Sequence, residues 1–394
     1  MKYGVIVYTH TKNIGDDIQS YAASRLLPRV DYYIEREHMD VFRPKENEPV
    51  STIMNGWFMY NKLAWPISSY INPLYISMHF LQKDSLLVED SFLKGLGGED
   101  LIACGPVGAR DVATLKMFER NQIPAYFSGC ATLTLPKMKK LPGSAEEKPY
   151  VCLTDVPDEV ENYYRRTYPD IDFRIIEHEP RKMPPLVKEG AEWTDRFRTV
   201  EELLTVYQNA QAVVTTRLHC AMPCLALETP VLLIVNDDMY EPDRISGLVE
   251  LVRRASSSEI VKGNASFDLR DPGPNSSDYH TVREGIIRKV EDFVRASEDQ
   301  MTKLMQRCAK YDAEWERRAL WKDEILLQMK KRQEARFEER EAWIRELETG
   351  KNWLEQQYES QRQKLDKQEN MLRTLMNDKC IRSIVRLRKY PVEG

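Results

Sequence analysis

The chain reads as an α/β protein of two doubly wound, Rossmann-like lobes followed by a long helical extension. Three observations predict this. Strand-like and helix-like segments alternate through the first part of the chain, the alternation stops at a polar Pro/Gly stretch, and it then restarts. From about residue 281 the composition turns to Glu, Lys, Arg and Gln, with residues 297–376 almost free of Gly and Pro. Repeated β-α-β passages are the pattern of parallel sheets with crossover helices. The expected bounds are 1–145 and 146–290 for the lobes and 291–394 for a helical, possibly coiled-coil tail with a basic end.

In the first lobe, KYGVIVYT (2–9) has strand character. GDDIQSYAASRLL (15–27) places Ile18, Tyr21, Ala22 and Leu26 at helical spacing, and DYYIER (31–36) is a second strand. Residues 44–80, rich in Pro, Trp, Tyr and Asn, resist assignment and read as an irregular packed insertion or a loop over a site. LIACGP (101–106), RDVATLKMFERN (110–121) and IPAYFSG (123–129) give a further strand, helix and strand. PKMKKLPGSAEEKP (136–149) carries the break between lobes. In the second lobe YVCLTDV, DFRIIEHE, QAVVTT and PVLLIV are strands. DEVENYYRRTY, TVEELLTVYQNA and HCAMPCLALE are the helices between them. In such sheets ligands lie at the carboxyl ends of the strands, and between two lobes they lie in the cleft.

The tail places Leu304, Cys308, Tyr311, Trp315 and Leu320 on one stripe, but no clean heptad persists and Gly350 interrupts. It reads as a long helix or helical hairpin that pairs with its own copy or a partner. The terminal IRSIVRLRKY (381–390) is a surface cap or a contact to an anionic membrane face.

The 394 residues carry a formal net charge of −5, so no global charge points to nucleic acid. Residues 301–394 hold 22 Lys/Arg against 17 Asp/Glu, so the body is acidic and the tail weakly basic. Seven cysteines without C-x-x-C pairs suit a reducing compartment. MKYGVIVYTH reads as a first strand rather than a leader, and no run of 18 apolar residues exists. The expected location is cytoplasmic. There is no G-x-G-x-x-G after the first strand, no P-loop, no G-x-S-x-G elbow and no zinc spacing.

Three stretches carry candidate chemistry. In THTKNIGDDIQS (9–20), Asp16 or Asp17 can cap the following helix, and Asn13 and Asp16 can face the crevice. There a carboxylate can orient or deprotonate a substrate hydroxyl. In GPVGARDVATLKMF (105–118), Arg110 opens a helix, where its charge is disfavoured by the macrodipole unless an anion sits in front of it. In VVTTRLHCAMPCLALETPVLLI (213–234), Thr215 or Thr216 can cap a helix whose Leu218 and His219 N–H groups form an anion cradle. Arg217 supplies a planar fork for phosphate or carboxylate, and His219 can carry a proton near neutral pH. Pro223 implies a late or kinked helix start.

Together NIGDDIQ (13–19), GARDVATLKMFERNQIPAYFSGCATLTL (108–135) and AQAVVTTRLHCAMPCLALETPV (210–231) resemble the polysaccharide pyruvyl transferase family. The resemblance covers roughly residues 1–290 and leaves the tail outside. It implies a two-lobed GT-B-like fold and transfer of pyruvate from phosphoenolpyruvate to a saccharide as a cyclic ketal, in cell-surface polysaccharide synthesis. Carried over, Arg110 and Arg217, with Leu218, hold the donor's phosphate and carboxylate, and His219 is the general acid. Asn13, Asp16 and His79 are acceptor-side candidates, Asp16 with a catalytic role as well. No cofactor or metal is implied beyond the co-substrate phosphoenolpyruvate. The implied acceptor is a saccharide or lipid-linked oligosaccharide; outside the resemblance, the helical tail points to homo-oligomerisation and the basic 381–390 segment to peripheral contact at the inner face of the membrane. Glu228 stands where the family pattern has Gly, and Ala109 where it has a Cys-like residue. Two other readings stay open: a GT-B glycosyltransferase using a nucleotide-sugar, with Arg217 on the diphosphate, and a non-catalytic assembly factor whose tail recruits polymer enzymes.

Overall fold

A computed structural model describes the chain apart from residues 60, 81–91, 139–147, 189, 237–241, 311–312, 314 and 378–394. Residues Met1–Ile325 form one compact unit and Leu326–Gly394 a second. Within the first unit lie two sheets in which every paired strand runs parallel to its neighbour.

The first sheet is ordered β2-β1-β3-β4-β5-β6. Its strands are β1 (Lys2–Val7), β2 (Tyr32–Glu35), β3 (Val50–Phe58), β4 (Ile71–Phe80), β5 (Val107–Ala109) and β6 (Ala125–Phe127). Helix α1 (Ile14–Leu26) follows β1, α2 (Leu96–Ala103) precedes β5, and α3 (Val112–Arg120) follows β5. The second sheet is ordered β11-β10-β9-β7-β8. It comprises β7 (Tyr150–Thr154), β8 (Asp172–Ile176), β9 (Ala212–Thr215), β10 (Val231–Ile234) and β11 (Arg253–Ala255). Helices α4 (Asp158–Thr167), α5 (Trp193–Asn209), α6 (Leu218–Ala226) and the short α7 (Ser257–Val261) are interleaved with them. In each sheet the chain's first strand sits inside, with the second on one side and the third on the other. That reversal is the switch point where an open α/β sheet leaves a crevice beyond its carboxyl edge.

Two segments differ from the sequence reading. Residues 44–80 are not an irregular insertion: they hold β3 and β4, paired from Val50↔Ile71 to Phe58↔Phe80 with a register shift between Met54 and Gly56. Both strands are buried on both faces, so the period-two alternation is missing, and Asn55, Gly56, Asn72 and Pro73 mask the strand propensity. The apolar run LIACGP does not form a strand. Its first half ends α2, and the strand there is the three-residue β5. A short apolar run is ambiguous between a buried helix end and a strand, and here the helix takes it. The central part of the 136–149 break and the terminal 381–390 segment lie outside the described residues.

After the second sheet the chain returns to the first. Helix α8 (Tyr279–Asp299) buries Ile286 and Val290 against Tyr3, Val5, Ile53 and Ile76. Helix α9 (Met301–Cys308) buries Leu304 and Cys308, while Trp321 and Ile325 join the core formed by Met54, Phe80 and Phe118. Chain order alone places these residues in or beside a separate tail; packing puts α8, Leu304, Cys308, Trp321 and Ile325 against the first lobe. Helix α10 (Trp315–Asn377) runs unbroken for 63 residues through Gly350, a single helix rather than a hairpin. Every described residue from 333 to 374 is exposed. No helix among the described residues is long and apolar enough to cross a membrane.

The lobes are tied beside the crevice by a buried pair. Asp17 on α1 receives Nε and Nη2 of Arg196 on α5 at 2.8 and 2.9 Å, and both residues are almost fully buried. Around it Tyr21 donates to Glu201 at 2.7 Å and Tyr33 stacks on Trp193. Removing one partner strands a charge with no water to solvate it. Arg196→Ala is therefore expected to lower unfolding stability by about 3–5 kcal/mol in denaturant titration, and Asp17→Leu combined with Arg196→Met to restore much of that loss. A single variant within about 0.5 kcal/mol of the parent contradicts this role.

Candidate active site at the facing strand ends

The site forms where the carboxyl edges of the two sheets meet. Asn13 caps α1: its Oδ1 accepts Gly15 N–H at 2.9 Å. Asp16 and Asp17 lie in the first turn instead of at the cap. The next N–H, that of Ile14, donates across the crevice to the carbonyl of His178 at 3.0 Å, just beyond the end of β8. Gly15 lies directly against His219 near the start of α6. An ideal Cβ on Gly15 would sit 3.2 Å from His219 Cβ and 3.3 Å from its Nδ1, so the absence of a side chain lets the two helix starts touch.

Arginines converge on this contact. Arg110 leaves the end of β5, with its N–H held by the Met78 carbonyl at 2.7 Å. Asp111, not Arg110, is the N-cap of α3 and accepts from Thr114 N–H at 2.9 Å. Arg110 is 2% exposed. Its Nη2 donates to the Arg244 carbonyl at 3.3 Å, while its Nε is buried with no hydrogen-bond acceptor, the Asp111 carboxylate standing 3.6 Å away. Arg244, on the 3-10 turn Pro242–Ile245, lies over the Trp57 ring at 5.4 Å. Both charges act on His219. Burial, then Arg110 and Arg244, then His178 and Arg217 hold its pKa well below the usual imidazole range, so the ring is neutral. His219 Nε2 is buried without a partner.

Asp16 completes the rim. It accepts from Thr11 Oγ1 at 2.6 Å and from Gln19 Nε2 at 3.4 Å. Burial raises its pKa against the opposing pull of Thr11, Arg36, Arg244 and Arg110, a balance that suits proton exchange. His79, at the end of β4, is buried with Nδ1 2.7 Å from Asp111 Oδ2 and 3.3 Å from Thr114 Oγ1. Burial and the nearby Arg110 push its pKa down to about 4, outweighing Asp111. A neutral ring beside a carboxylate carries its proton on Nδ1, which leaves Nε2, here buried and unpartnered, as an acceptor.

Arg217 is placed differently from the sequence expectation. It is itself the N-cap of α6, with φ −99° and no side-chain cap bond; its N–H donates to Thr215 Oγ1 at 2.9 Å, and Thr216 Oγ1 donates to the Asp155 carbonyl. Its guanidinium is engaged by Asp155 (2.8 Å) and Glu179 (3.2 Å). Leu218 is buried at the first helical position, and Pro223 lies inside α6 without ending it. Asp155, at φ 52°, also accepts His178 N–H at 3.0 Å, and His178 Nε2 meets Tyr207 OH at 2.8 Å. Burial drives the His178 pKa to about 3.

The structure therefore brings together Asn13, Asp16, Arg110, Arg217, Leu218 and His219 at one junction, with His79 behind Arg110 on Asp111. Sequence reasoning missed Arg244, Asp155 and His178. Asp155 and His178 each follow the end of a strand in the second sheet, a position from which they were legible; Arg244 had no local signal. Among the described residues no cluster of three metal-binding side chains exists.

Two parallel sheets meeting at their carboxyl ends, with the buried Arg110 and the half-buried Arg217 and Arg244 around a neutral histidine, define a two-lobed α/β protein whose crevice suits a small anion. Residues 103–238, which include Arg110, Arg217 and His219, match the polysaccharide pyruvyl transferase family, and this match supports a polysaccharide-modifying transferase. No curated protein matches the chain. Solved structures similar to it include UDP-GlcNAc 2-epimerase from Methanocaldococcus jannaschii, at 13% identity over 74% of this chain and 100% of that one, with a TM-score of 0.37. Others are the S. aureus MnaA–UDP co-structure (11%; 77% and 98%; TM-score 0.40) and E. coli ADP-heptose lps heptosyltransferase II (10%; 76% and 100%; TM-score 0.31). At these scores the likeness adds nothing to the strand order, on which the fold assignment rests.

The electrostatics are directly measurable. In the free protein the NMR ring resonances of His219, assigned through His219→Gln, are expected to show no titration between about pH 5.5 and 8. A midpoint near the ordinary histidine value contradicts the cationic environment described for it.

Proposed function

We propose that the chain is a ketal-pyruvate transferase that takes pyruvate from phosphoenolpyruvate and closes it onto two hydroxyls of a saccharide in cell-surface polysaccharide synthesis. The observation that carries this reading is the Arg110–Arg244–His219 cluster within and beside the matched segment. It pairs a buried guanidinium lacking an acceptor at Nε with a histidine that neighbouring positive charge keeps deprotonated. A compact trianion answers both deficits at once. Its phosphate or carboxylate gives Arg110 an acceptor, and its charge offsets the arginines so that His219 can take a proton.

In this mechanism His219, once protonated, gives its proton to the donor's methylene carbon, and cationic character builds at C2. An acceptor hydroxyl attacks C2 and loses its proton to Asp16. The C2–O bond to phosphate breaks, and the phosphate leaves between Arg110 and Arg244, whose fixed charges need no reorganisation. The second hydroxyl then attacks C2 and gives its proton to the released phosphate as the ketal closes. Arg217 acts from the second lobe; because Asp155 and Glu179 engage it, it reaches the donor's carboxylate only by exchanging Glu179, the exposed partner. Asn13 fixes the helix start that presents Asp16, and any contact of His79 with the acceptor runs through Nε2. The tail and the inner membrane face belong to the same proposal as sites of assembly, with a saccharide or lipid-linked oligosaccharide as acceptor.

The test is acceptor-dependent phosphate release from phosphoenolpyruvate. His219→Ala is expected to lower kcat by about 10²–10⁴-fold. Arg244→Ala is expected to raise the donor KM by roughly tenfold or more, as loss of a charge-assisted contact requires. Release that is unchanged in His219→Ala, or turnover only with a nucleotide-sugar, overturns the reading.

A further inference from the structure

Helix α10 carries a seam that its continuity makes visible. With no break at Gly350, a seven-residue frame can be laid from residue 337 to 372. Phe337, Ile344, Lys351, Tyr358, Leu365 and Leu372 fall at the a positions and Arg340, Leu347, Leu354, Gln361 and Gln368 at d, so apolar side chains fill seven of the eleven seam positions. The seven apolar side chains are between 43% and 69% exposed, so nothing among the described residues covers the stripe. A solvated stretch such as 333–374, about 63 Å long at 1.5 Å per residue, gains nothing from a line of large apolar groups unless another helix covers it. The i,i+4 pairs Glu341–Arg345 and Glu369–Arg373 lie at e and b positions, flanking the seam without blocking it.

We infer that this face docks a second copy of the chain as a parallel, in-register two-stranded coiled coil over residues 337–372. Charge decides the orientation. In a parallel pair each g residue faces the e′ residue of the next heptad on its partner, which sets Arg336 opposite Glu341 and Lys364 opposite Glu369, attractive on both sides of the seam. Turned antiparallel about the middle of the seam, e faces e′: Glu348 meets Arg362, but Glu341 meets Glu369 and Glu355 meets its own copy, so repulsive contacts outnumber attractive ones. In the stretch from 344 to 354, β-branched Ile344 at a sits with Leu347 and Leu354 at d, the combination that favours two strands. Lys351 is the one charged a position, and in register it lies beside its copy. Such a residue costs stability but penalises slipped registers and larger bundles, which would bury it more deeply. Both chains enter the rod at the same end. This inference does not depend on the enzymatic proposal.

The test uses the full chain. Sedimentation equilibrium is expected to give twice the 46.1 kDa chain mass, and Ile344→Asp with Leu347→Asp to give the single mass while the thermal unfolding of the body is unchanged. In a Cys380→Ser background, Phe337→Cys is expected to cross-link to its own copy under mild oxidation. A mixture of Phe337→Cys and Leu372→Cys chains is expected to give no mixed product. A monomeric parent, a trimer or tetramer, or cross-linking only between 337 and 372 overturns the inference.

Discussion

The contact between Gly15 and His219 is the constraint on which the site depends. Two lobes with parallel sheets meet edge to edge, and the starts of α1 and α6 come within a side chain's width because one of them presents no side chain. The Ile14 N–H bound to the His178 carbonyl and the Asp17–Arg196 pair fix that approach from either side. Everything chemical is arranged around the junction: Asp16 in the first turn of α1, Arg110 at the end of β5, Arg244 above Trp57. Move the helix starts apart and the arginines no longer act on the histidine.

Concentrating positive charge beside a half-buried imidazole with a buried Nε2 costs the free protein something. Arg110 is left with an unmet donor, and the neutral His219 and His79 each carry a ring nitrogen without a partner. Unmet polar groups in a buried site cost free energy that a ligand can return on binding. An anion is the ligand that returns most of it, because it satisfies the guanidinium and alters the field at the histidine together. Arg217 makes the contrast plain: with Asp155 and Glu179 already bound to it, it has far less to gain.

Much of this was legible in the sequence, for identifiable reasons. Strands β1, β2 and β7 to β10 and their helices have flanking turns and clear periodicity, so the doubly wound pattern stands out. The junction of VVTT and RLHC marks itself by interrupting two apolar runs with Arg217 and His219. Strands β3 and β4 did not show, because central parallel strands are apolar on both faces and these two carry Asn, Gly and Pro. Arg244 was invisible because it arrives from a non-repetitive turn and matters only through space. The guanidinium of Arg217 looked free because its partners, Asp155 and Glu179, are 62 and 38 residues away in sequence. The seven-residue frame of α10 does not stand out in the sequence because Arg340, Lys351, Gln361 and Gln368 take seam positions and Gly350 reads as a break until the helix is seen to continue through it.

The central claim is that an anionic donor and a proton enter the site together. Calorimetric titration of the protein with phosphoenolpyruvate near pH 8, in two buffers of different ionisation heat, measures this directly. Binding should be accompanied by uptake of about one proton, because the bound anion raises a pKa that the free site holds low. The uptake should vanish in His219→Gln while binding persists. Binding with no proton uptake in the parent protein would contradict the account.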